Sequence, residues 1–428
     1  MSNNKKILVI GAGYVGLTSS VCFAKLGHQV TAYDLNLERI QKLQSGKAPI
    51  FEPGLDSLIL EGQSNGNLVF VSNPTEAAAA ADFVFLCVPT PQDQDGSADL
   101  SAVLNAAGSI AKLLRPGAIV VTKSTVPVGS AHRIKEALGR RDVEVASNPE
   151  FLREGTAIED FMNPDRIVVG ADEAKVAEHV GSLYESINSP KLLTSLASSE
   201  LIKYASNSFL ALKLSFANEI AGLCERVSAD MTQVSVGMGL DSRIGAKFLT
   251  PGPGWGGSCF PKDSKALSSI FEQNGLTSPL ILASLESNEK AKRRVVEAIA
   301  RAADGALEGK RVAVWGLAFK ANTDDTRESP AVSIITRLID RGARVVAYDP
   351  EVKALNLEGL AIAGSAIEAA RDADVLAVLT EWPEFGVVDA LATMQIMRSK
   401  CVVDARRVLD ASLWKPLSSH FFVIGETS

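Results

Sequence analysis

At 428 residues, with 46% hydrophobic and 22% charged side chains, the sequence is that of a globular chain too long for one core, with material for two to three domains. A net charge of −7 offers no basic face to nucleic acid or to an anionic membrane, no apolar run of about eighteen residues could span a bilayer, and no metal site is expected, so a small molecule is the default ligand. Five cysteines without framework spacing fit a reducing, cytoplasmic compartment, and the N-terminus lacks the long apolar region and cleavage site of a signal peptide.

The segment KKILVIGAGYVGLTSSVCFAKLGHQVTAYDL predicts a strand, a glycine turn, a helix over about Tyr14 to Leu26 and a second strand ending at Asp34, which is a βαβ unit. GAGYVG fits G-x-G-x-x-G. Gly11 permits the tight turn, Gly13 lets a pyrophosphate approach the backbone, and Gly16 lets the helix pack on the strand, while Asp34 can accept ribose hydroxyls. The helix N-terminus faces the phosphates. A carboxylate at Asp34 favours NAD over NADP, because a 2′-phosphate would meet a like charge.

Strand-like runs recur at NLVFVS, ADFVFLCVPT, GAIVVTKST, VEVASNPE and DRIVVGA, separated by alanine-rich helical stretches, which implies a parallel, doubly wound α/β sheet. The rhythm then changes. Ser198 to about Val227 carries no turn signal and reads as one long helix, and further helical segments continue to about Asp304. After GALEGK the strands return, and KRVAVWGLAFK followed by ARVVAYDP repeats the order of the N-terminal βαβ unit. The fold class is therefore two Rossmann-like domains, 1–197 and 305–428, joined by a helical middle, 198–304. In GLAFK a Phe and a Lys replace the later glycines, so the second domain loses close access to a pyrophosphate; Lys320 could hold another phosphate or be a solvated surface charge.

Four cysteines, Cys22, Cys87, Cys224 and Cys401, sit in or beside apolar runs and read as buried inert thiols. Cys259, in GWGGSCFPKD, does not. A helix expected to start near Pro261 would place a dipole favouring its thiolate, though on the residues alone a free cysteine in a flexible loop could be idle.

Taken together, GAGYVG, STVPVG, SNPEFLREGTAIEDFMNPDRIVVG, ELIKYASNSFLALKLSFANE, RIGAKFLTPGPGWGGSCFPKD and GLAFKANTDDTRESPA, in this order, resemble the UDP-glucose/GDP-mannose dehydrogenases over nearly the whole chain. Trp255 stands where Phe or Tyr is more usual. The resemblance implies oxidation of a sugar-nucleotide primary alcohol to a carboxylate with two hydride transfers to NAD, and SRIGAKFL before PGPGWGGSCFPKD is most similar to the branch acting on UDP-glucose. An aldehyde cannot yield a second hydride until a nucleophile adds to its carbon, and the resemblance gives that role to Cys259.

It also implies that Lys203 stabilises oxyanions beside Asn207, four residues on along the same helix face, and that Asp263 orients a water. Without the resemblance, Lys203 reads as a solvated helix charge and Asp263 as a first-turn carboxylate. Glu150, Glu154 and Thr125 share acid/base work, although Glu154 could merely pair with Arg153 or Arg166. For the nucleotide sugar the resemblance points to Glu150, Phe151, Leu152, Lys203, Asn207, Phe248, Leu249 and on to Gly254, then Gly256, Phe319, Lys320 and Arg406, with Arg243 reaching over from a second subunit. For NAD it points, besides the glycines, to Tyr14, Val15, Asp34, Arg39, Val88, Thr90, Thr125, Glu154 and Arg327. A homodimer or larger homo-oligomer follows if Arg243 crosses over. Relatives acting on GDP-mannose or a UDP-N-acetylhexosamine would share this chemistry. The joint presence of Cys259, Lys203, Asn207 and Asp263 argues against a non-catalytic NAD(H)-sensing protein.

Overall fold

The computed structural model describes residues 4–93 and 96–426. Two compact units emerge: one is the chain to Ser206 together with Lys265–Leu276, the other Asn207–Ser264 together with the chain from Thr277. The first carries eight strands, β1 (Lys6–Ile10), β2 (Gln29–Tyr33), β3 (Leu68–Val71), β4 (Phe83–Leu86), β5 (Ile119–Thr122), β6 (Glu144–Ser147), β7 (Ile167–Ala171) and β8 (Lys191–Thr194), in the order β3-β2-β1-β4-β5-β6-β7-β8. The central strands are apolar without alternation because both faces are covered. Ile7 and Val9 enter one hydrophobic cluster with Leu17, Val21 and Phe23, whereas Leu8 and Ile10 enter another with Val103, Ile110 and Ile134.

One pair departs from the parallel pattern. β6 and β7 run antiparallel, with Ala146 opposite Ala171 and Ser147 opposite Gly170. A parallel return needs a crossover to the far end of the sheet. Between Ser147 and Ile167 the chain instead spends its residues on a loop and the short helix Ala157–Met162, so it re-enters at the end it left. That loop carries Glu150 and Glu154.

The second unit has six strands, β9 (Arg311–Trp315), β10 (Arg344–Tyr348), β11 (Leu360–Ile362), β12 (Val375–Val378), β13 (Cys401–Asp404) and β14 (His420–Val423), all parallel in the order β11-β10-β9-β12-β13-β14. This is the order of the first six strands of the other sheet. The echo extends to single bonds: Gly11 N donates to Tyr33 O and Gly316 N to Tyr348 O, each at 2.8 Å. The long helix is Leu196–Val227, and the unit boundary cuts through it after Ser206. Among the described residues no helix is long and apolar enough to cross a membrane. Cys22, Cys87 and Cys224 are buried as expected, but Cys401 opens β13 at the sheet's entry edge and is only half-buried, its Sγ 3.5 Å from Ser419 Oγ.

Candidate active site

In the first unit the glycine turn joins β1 to the helix Tyr14–Lys25. Gly11 has φ +94°, and a Cβ there would meet Cys87 O at 2.6 Å; a Cβ on Gly16 would lie 1.8 Å from Gly11 O. Gly13 is different, because nothing lies within 4 Å of the position its Cβ would take. The open side of the turn is thus the side a pyrophosphate needs. Asp34 Oδ2 accepts from Ala12 N and from Arg39 Nη1, at 2.8 and 2.9 Å, and Oδ1 accepts from Asn36 N at 2.9 Å. Burial pushes the Asp34 carboxyl up, but these donors and the guanidinium outweigh it and hold it below the usual range. The residues present fit a dinucleotide. Val15 packs against the core, Ser124 Oγ donates to Val88 O, and Thr90 Oγ1 donates to Thr125 O, both bonds tying the ends of β4 and β5 together.

The loop after β6 meets the long helix through a buried ion pair, Lys203 Nζ to Glu150 Oε1 at 2.8 Å, with side chains 4% and 6% exposed. Lys203 is therefore not a solvated helix charge. Glu150 Oε2 also accepts from Leu152 N at 2.7 Å. Burial alone would raise the Glu150 carboxyl; the ammonium of Lys203 and these hydrogen bonds reverse the sign and hold it below its ordinary value. Phe151 lies beneath two cations, with the Arg166 guanidinium 3.5 Å and Lys203 Nζ 5.4 Å from its ring centre. Arg153 pairs with Asp160 at 2.5 Å. Glu154 acts electrostatically on Tyr14.

Three buried carboxylates or cations here escaped sequence reasoning. Glu52 accepts from Tyr14 Oη, from Gly155 N at 2.7 Å and from Ala157 N at 2.8 Å, joining the glycine turn to the loop of Glu154. Glu200, one turn before Lys203, accepts from Gly129 N and Ala131 N at 2.7 and 2.8 Å and so caps the helix Ser130–Leu138 that follows STVPVG. Lys123 is buried at the end of β5. Each partner lies tens of residues away in sequence, so no local pattern announces it.

In the second unit Cys259 is half-buried and immediately precedes the helix Phe260–Gln273, its carbonyl accepting from Asp263 N at 2.8 Å. That N-terminus favours an anion at the thiol. Asp263 is fully buried: Oδ2 accepts from Asn207 Nδ2 at 2.7 Å and Oδ1 pairs with Lys262 at 2.5 Å. A first-turn carboxylate favoured only by the dipole would face solvent. The glycines hold the loop against the chain: a Cβ on Gly256 would lie 2.0 Å from Glu328 O. Trp255 serves as an anchor, with N donating to Asn288 Oδ1 at 2.8 Å, O accepting from Asn288 Nδ2 at 2.9 Å, and Nε1 donating to Ser215 Oγ at 2.9 Å.

Further candidates gather around Arg406. Its Nη2 donates to Phe319 O and its Nε to Leu379 O, both at 2.9 Å, and Nη1 pairs with Glu381 at 3.1 Å. A Cβ on Gly252 would sit 3.2 Å from the same guanidinium, and one on Gly257 would touch the Phe319 ring at 2.8 Å. Lys320 Nζ lies 5.6 Å from that ring's centre. Leu249 is buried, its carbonyl accepting from Ser235 Oγ, Phe248 packs on Phe260, and Gly254 takes φ +127°, where a Cβ would meet Asn288 Oδ1 at 2.8 Å. Arg243 and Arg327 carry exposed side chains, although the Arg327 carbonyl accepts from Gly257 N at 3.0 Å. They are 87% and 65% exposed and chelate Asp241 and Asp325, two residues upstream.

Three family models match in chain order: the NAD binding domain of the UDP-glucose/GDP-mannose dehydrogenase family over residues 5–188, its central domain over 197–290 and its UDP binding domain over 313–411. The chain belongs to this family. A UDP-glucose 6-dehydrogenase of Rhizobium meliloti is 47% identical over 417 residues, covering 94% of this chain and 95% of that protein. UDP-glucose 6-dehydrogenase TuaD of Bacillus subtilis is 42% identical over 413 residues, covering 94% and 89%. Among solved structures, a UDP-glucose dehydrogenase from Pyrobaculum islandicum is 39% identical with TM-score 0.92, covering 99% of this chain and 98% of that one. A UDP-D-ManNAc dehydrogenase from Pyrococcus horikoshii is 28% identical with TM-score 0.87, covering 98% and 99%. As in the rest of the family, the chain is an NAD-dependent oxidoreductase.

Proposed function

We propose that the protein oxidises UDP-glucose to UDP-glucuronate by four electrons, consuming two NAD per sugar. The observation that carries this is the cysteine loop: a thiol at a helix N-terminus, one turn before an aspartate buried against Asn207 and Lys262. Bound NAD, held on Gly11, Gly13 and Gly16 with Asp34 at the ribose, supplies the hydride acceptor for both oxidations.

The chain's own residues do the rest. Glu150 and Glu154, with Thr125 and a water, take the alcohol proton as the first oxidation produces the aldehyde. The Cys259 thiolate adds to the aldehyde carbon, forming a C–S bond and an oxyanion whose stabilisation falls to the Lys203 ammonium and the Asn207 amide. After the second oxidation a thioester remains. Asp263 orients the water that adds to it; the C–S bond breaks, the carboxylate leaves and the thiolate returns.

On this reading Phe151, Leu152, the segment Phe248 to Gly254, Gly256, Phe319, Lys320 and Arg406 bind the nucleotide sugar. Tyr14, Val15, Arg39, Val88, Thr90 and Arg327 complete the NAD site. The organisation we favour is a cofactor domain over 1–197, a helical middle with the cysteine loop over 198–304 and a nucleotide-sugar domain over 305–428. Arg243, exposed and chelating Asp241, would serve a partner subunit in a homodimer. Phe209, Phe216, Leu223 and Val227 form an exposed apolar stripe on the long helix that supports self-association. Five cysteines outside any disulfide fit a cytoplasmic enzyme.

The test is a nucleotide-sugar panel read by NADH absorbance, with the stoichiometry of the best substrate. UDP-glucose should be preferred over GDP-mannose and UDP-N-acetylhexosamines and should yield two NADH. Cys259→Ala should retain at most the alcohol-to-aldehyde step, and full two-hydride turnover by that variant would overturn the covalent mechanism.

A further inference from the structure

Lys123 follows β5 and turns its side chain into the core of the first unit, where the residue is 4% exposed. Its Nζ donates to Asn148 Oδ1 at 3.1 Å and to Tyr184 Oη at 3.3 Å, both neutral partners. It lies 5.9, 5.7 and 5.8 Å from the ring centres of Phe85, Phe161 and Tyr184. Asn148 is itself fixed, donating to Val168 O at 2.8 Å and accepting from Tyr184 Oη at 2.5 Å. An ammonium is costly in such a place, and a Met or Leu would fill the volume without that cost. A purely structural role therefore does not account for it.

Beside Lys123 is a cavity of about 40 Å³ whose lining includes Lys123, Asn148, Glu150, Asp160, Arg166 and Tyr184, so the ammonium and the Glu150 carboxylate border one space. The charged and titratable groups facing Lys123 are Glu150 from the loop after β6, Lys203 from the long helix, Cys87 after β4 and Cys22 on the helix Tyr14–Lys25, together with Tyr184. Burial pushes both thiols up to about 12 and Tyr184 well above its ordinary value, so all three stay neutral at working pH. Glu150 stays ionised. Asp160, paired with Arg153, and Arg166 border the same cavity, and of the groups facing Lys123 the one whose charge changes near pH 8 is Lys123 itself.

We propose that Lys123 is a positioning residue for the reaction, a second cation behind Glu150. The Glu150–Lys203 pair alone is neutral, and the Lys123 ammonium gives the trio a net positive charge, leaving the field of Lys203 available to a developing oxyanion. This rests on the roles given to Lys203 and Glu150 above. Burial pulls the Lys123 ammonium down to about 8, so its charge is present below that pH and lost above it. Turnover should accordingly fall as pH rises through about 8. A direct oxyanion donor is worth about 10²-fold or more, and a cation one layer further out should be worth about three- to tenfold.

The experiment compares wild type, Lys123→Met and Lys123→Arg at saturating UDP-glucose and NAD from pH 6 to pH 10, with lysine-labelled NMR of the ligand-free protein alongside. We expect kcat of the wild type to step down about three- to tenfold through pH 8 with KM unchanged. The Met variant should lie at the lower level throughout, the Arg variant should show no step, and one lysine signal titrating near pH 8 should vanish in either variant. A surviving step in a Met variant whose circular dichroism and melting match wild type would overturn the proposal. So would the absence of any lysine titrating below about pH 9.5. Should the Met variant fail to fold, the Arg profile and the lysine signal decide. A wild type that fails to oxidise UDP-glucose would instead refute the proposed function, leaving the lysine titration still readable.

Discussion

Replacing Lys203 by Met tests whether the buried ion pair is what the first unit's interior is built around. At 2.8 Å and an effective dielectric near 20, Coulomb's law gives an attraction of about 6 kcal/mol, which is a ceiling. Removing one partner of such a pair typically costs about 3–5 kcal/mol, because the other charge stays buried. Glu150 would keep only the Leu152 N–H and the more remote Lys123. Its carboxyl, now held below the usual range, would rise above it.

The sign with pH follows. In wild type the depressed Glu150 carboxyl contributes stability that is present above its unfolded value of 4.5 and lost as pH falls through the folded one. In the variant the carboxyl binds a proton more readily folded than unfolded, so the deficit should be largest near pH 8 and shrink toward pH 5. The assay is urea unfolding at both pH values, followed by far-ultraviolet circular dichroism. All four tryptophans, Trp255, Trp315, Trp382 and Trp414, lie in the second unit, so their emission reports that unit alone and serves as an internal control. Lys203→Met combined with Glu150→Gln should recover part of the loss. A Lys203→Met protein within about 1 kcal/mol of wild type at pH 8 would refute the reasoning.

Two further outcomes are expected. Asp34→Ala should narrow the preference for NAD over NADP in kcat/KM, since the carboxylate both receives the ribose diol and repels a 2′-phosphate; a wild type using both cofactors equally would contradict this. Burial raises the Glu200 carboxyl from 4.5 to about 7, so its contribution to stability is full below pH 4.5 and declines as pH rises to 7; Glu200→Gln should flatten that part of the stability profile, and an unchanged slope would show that other groups set it.

What could be read from the sequence was what repeats locally. Uninterrupted runs such as ILVI and AVW demand burial on both faces, and glycines spaced around a strand-to-helix turn have few other uses. Cys259 stood out because its neighbours are Gly, Ser and Pro rather than core residues. Lys123, Glu52 and Glu200 carry no such mark: each is a charged residue in an ordinary polar context, and its burial is decided by Asn148 and Tyr184, by Gly155, or by Gly129, brought up by the sheet. The antiparallel β7 was equally hidden, because a strand's composition does not record its direction.

The internal repeat shows how one topology yields different sites. Asp34 and Asp349 follow β2 and β10 at equivalent places, each with its preceding tyrosine bonded to the glycine of the facing turn. Asp349 is 1% exposed, and its Oδ2 accepts from Leu317 N, Ala318 N and Trp382 Nε1 at 2.7, 3.0 and 3.1 Å. Its Oδ1 accepts from Glu351 N and Val352 N at 2.9 and 3.1 Å. With about four lone-pair sites on a carboxylate, those five donors leave no acceptor for a ribose diol. Asp34 has one backbone donor on each oxygen, and its third partner, Arg39, is a half-exposed side chain that can swing aside. The first turn thus keeps an open carboxylate beside the space above Gly13, whereas the second, with Ala318 and Ala321 at the places of Gly13 and Gly16 and with Phe319 and Lys320 opposite Tyr14 and Val15, has converted the same carboxylate into a structural clamp and presents Arg406 instead.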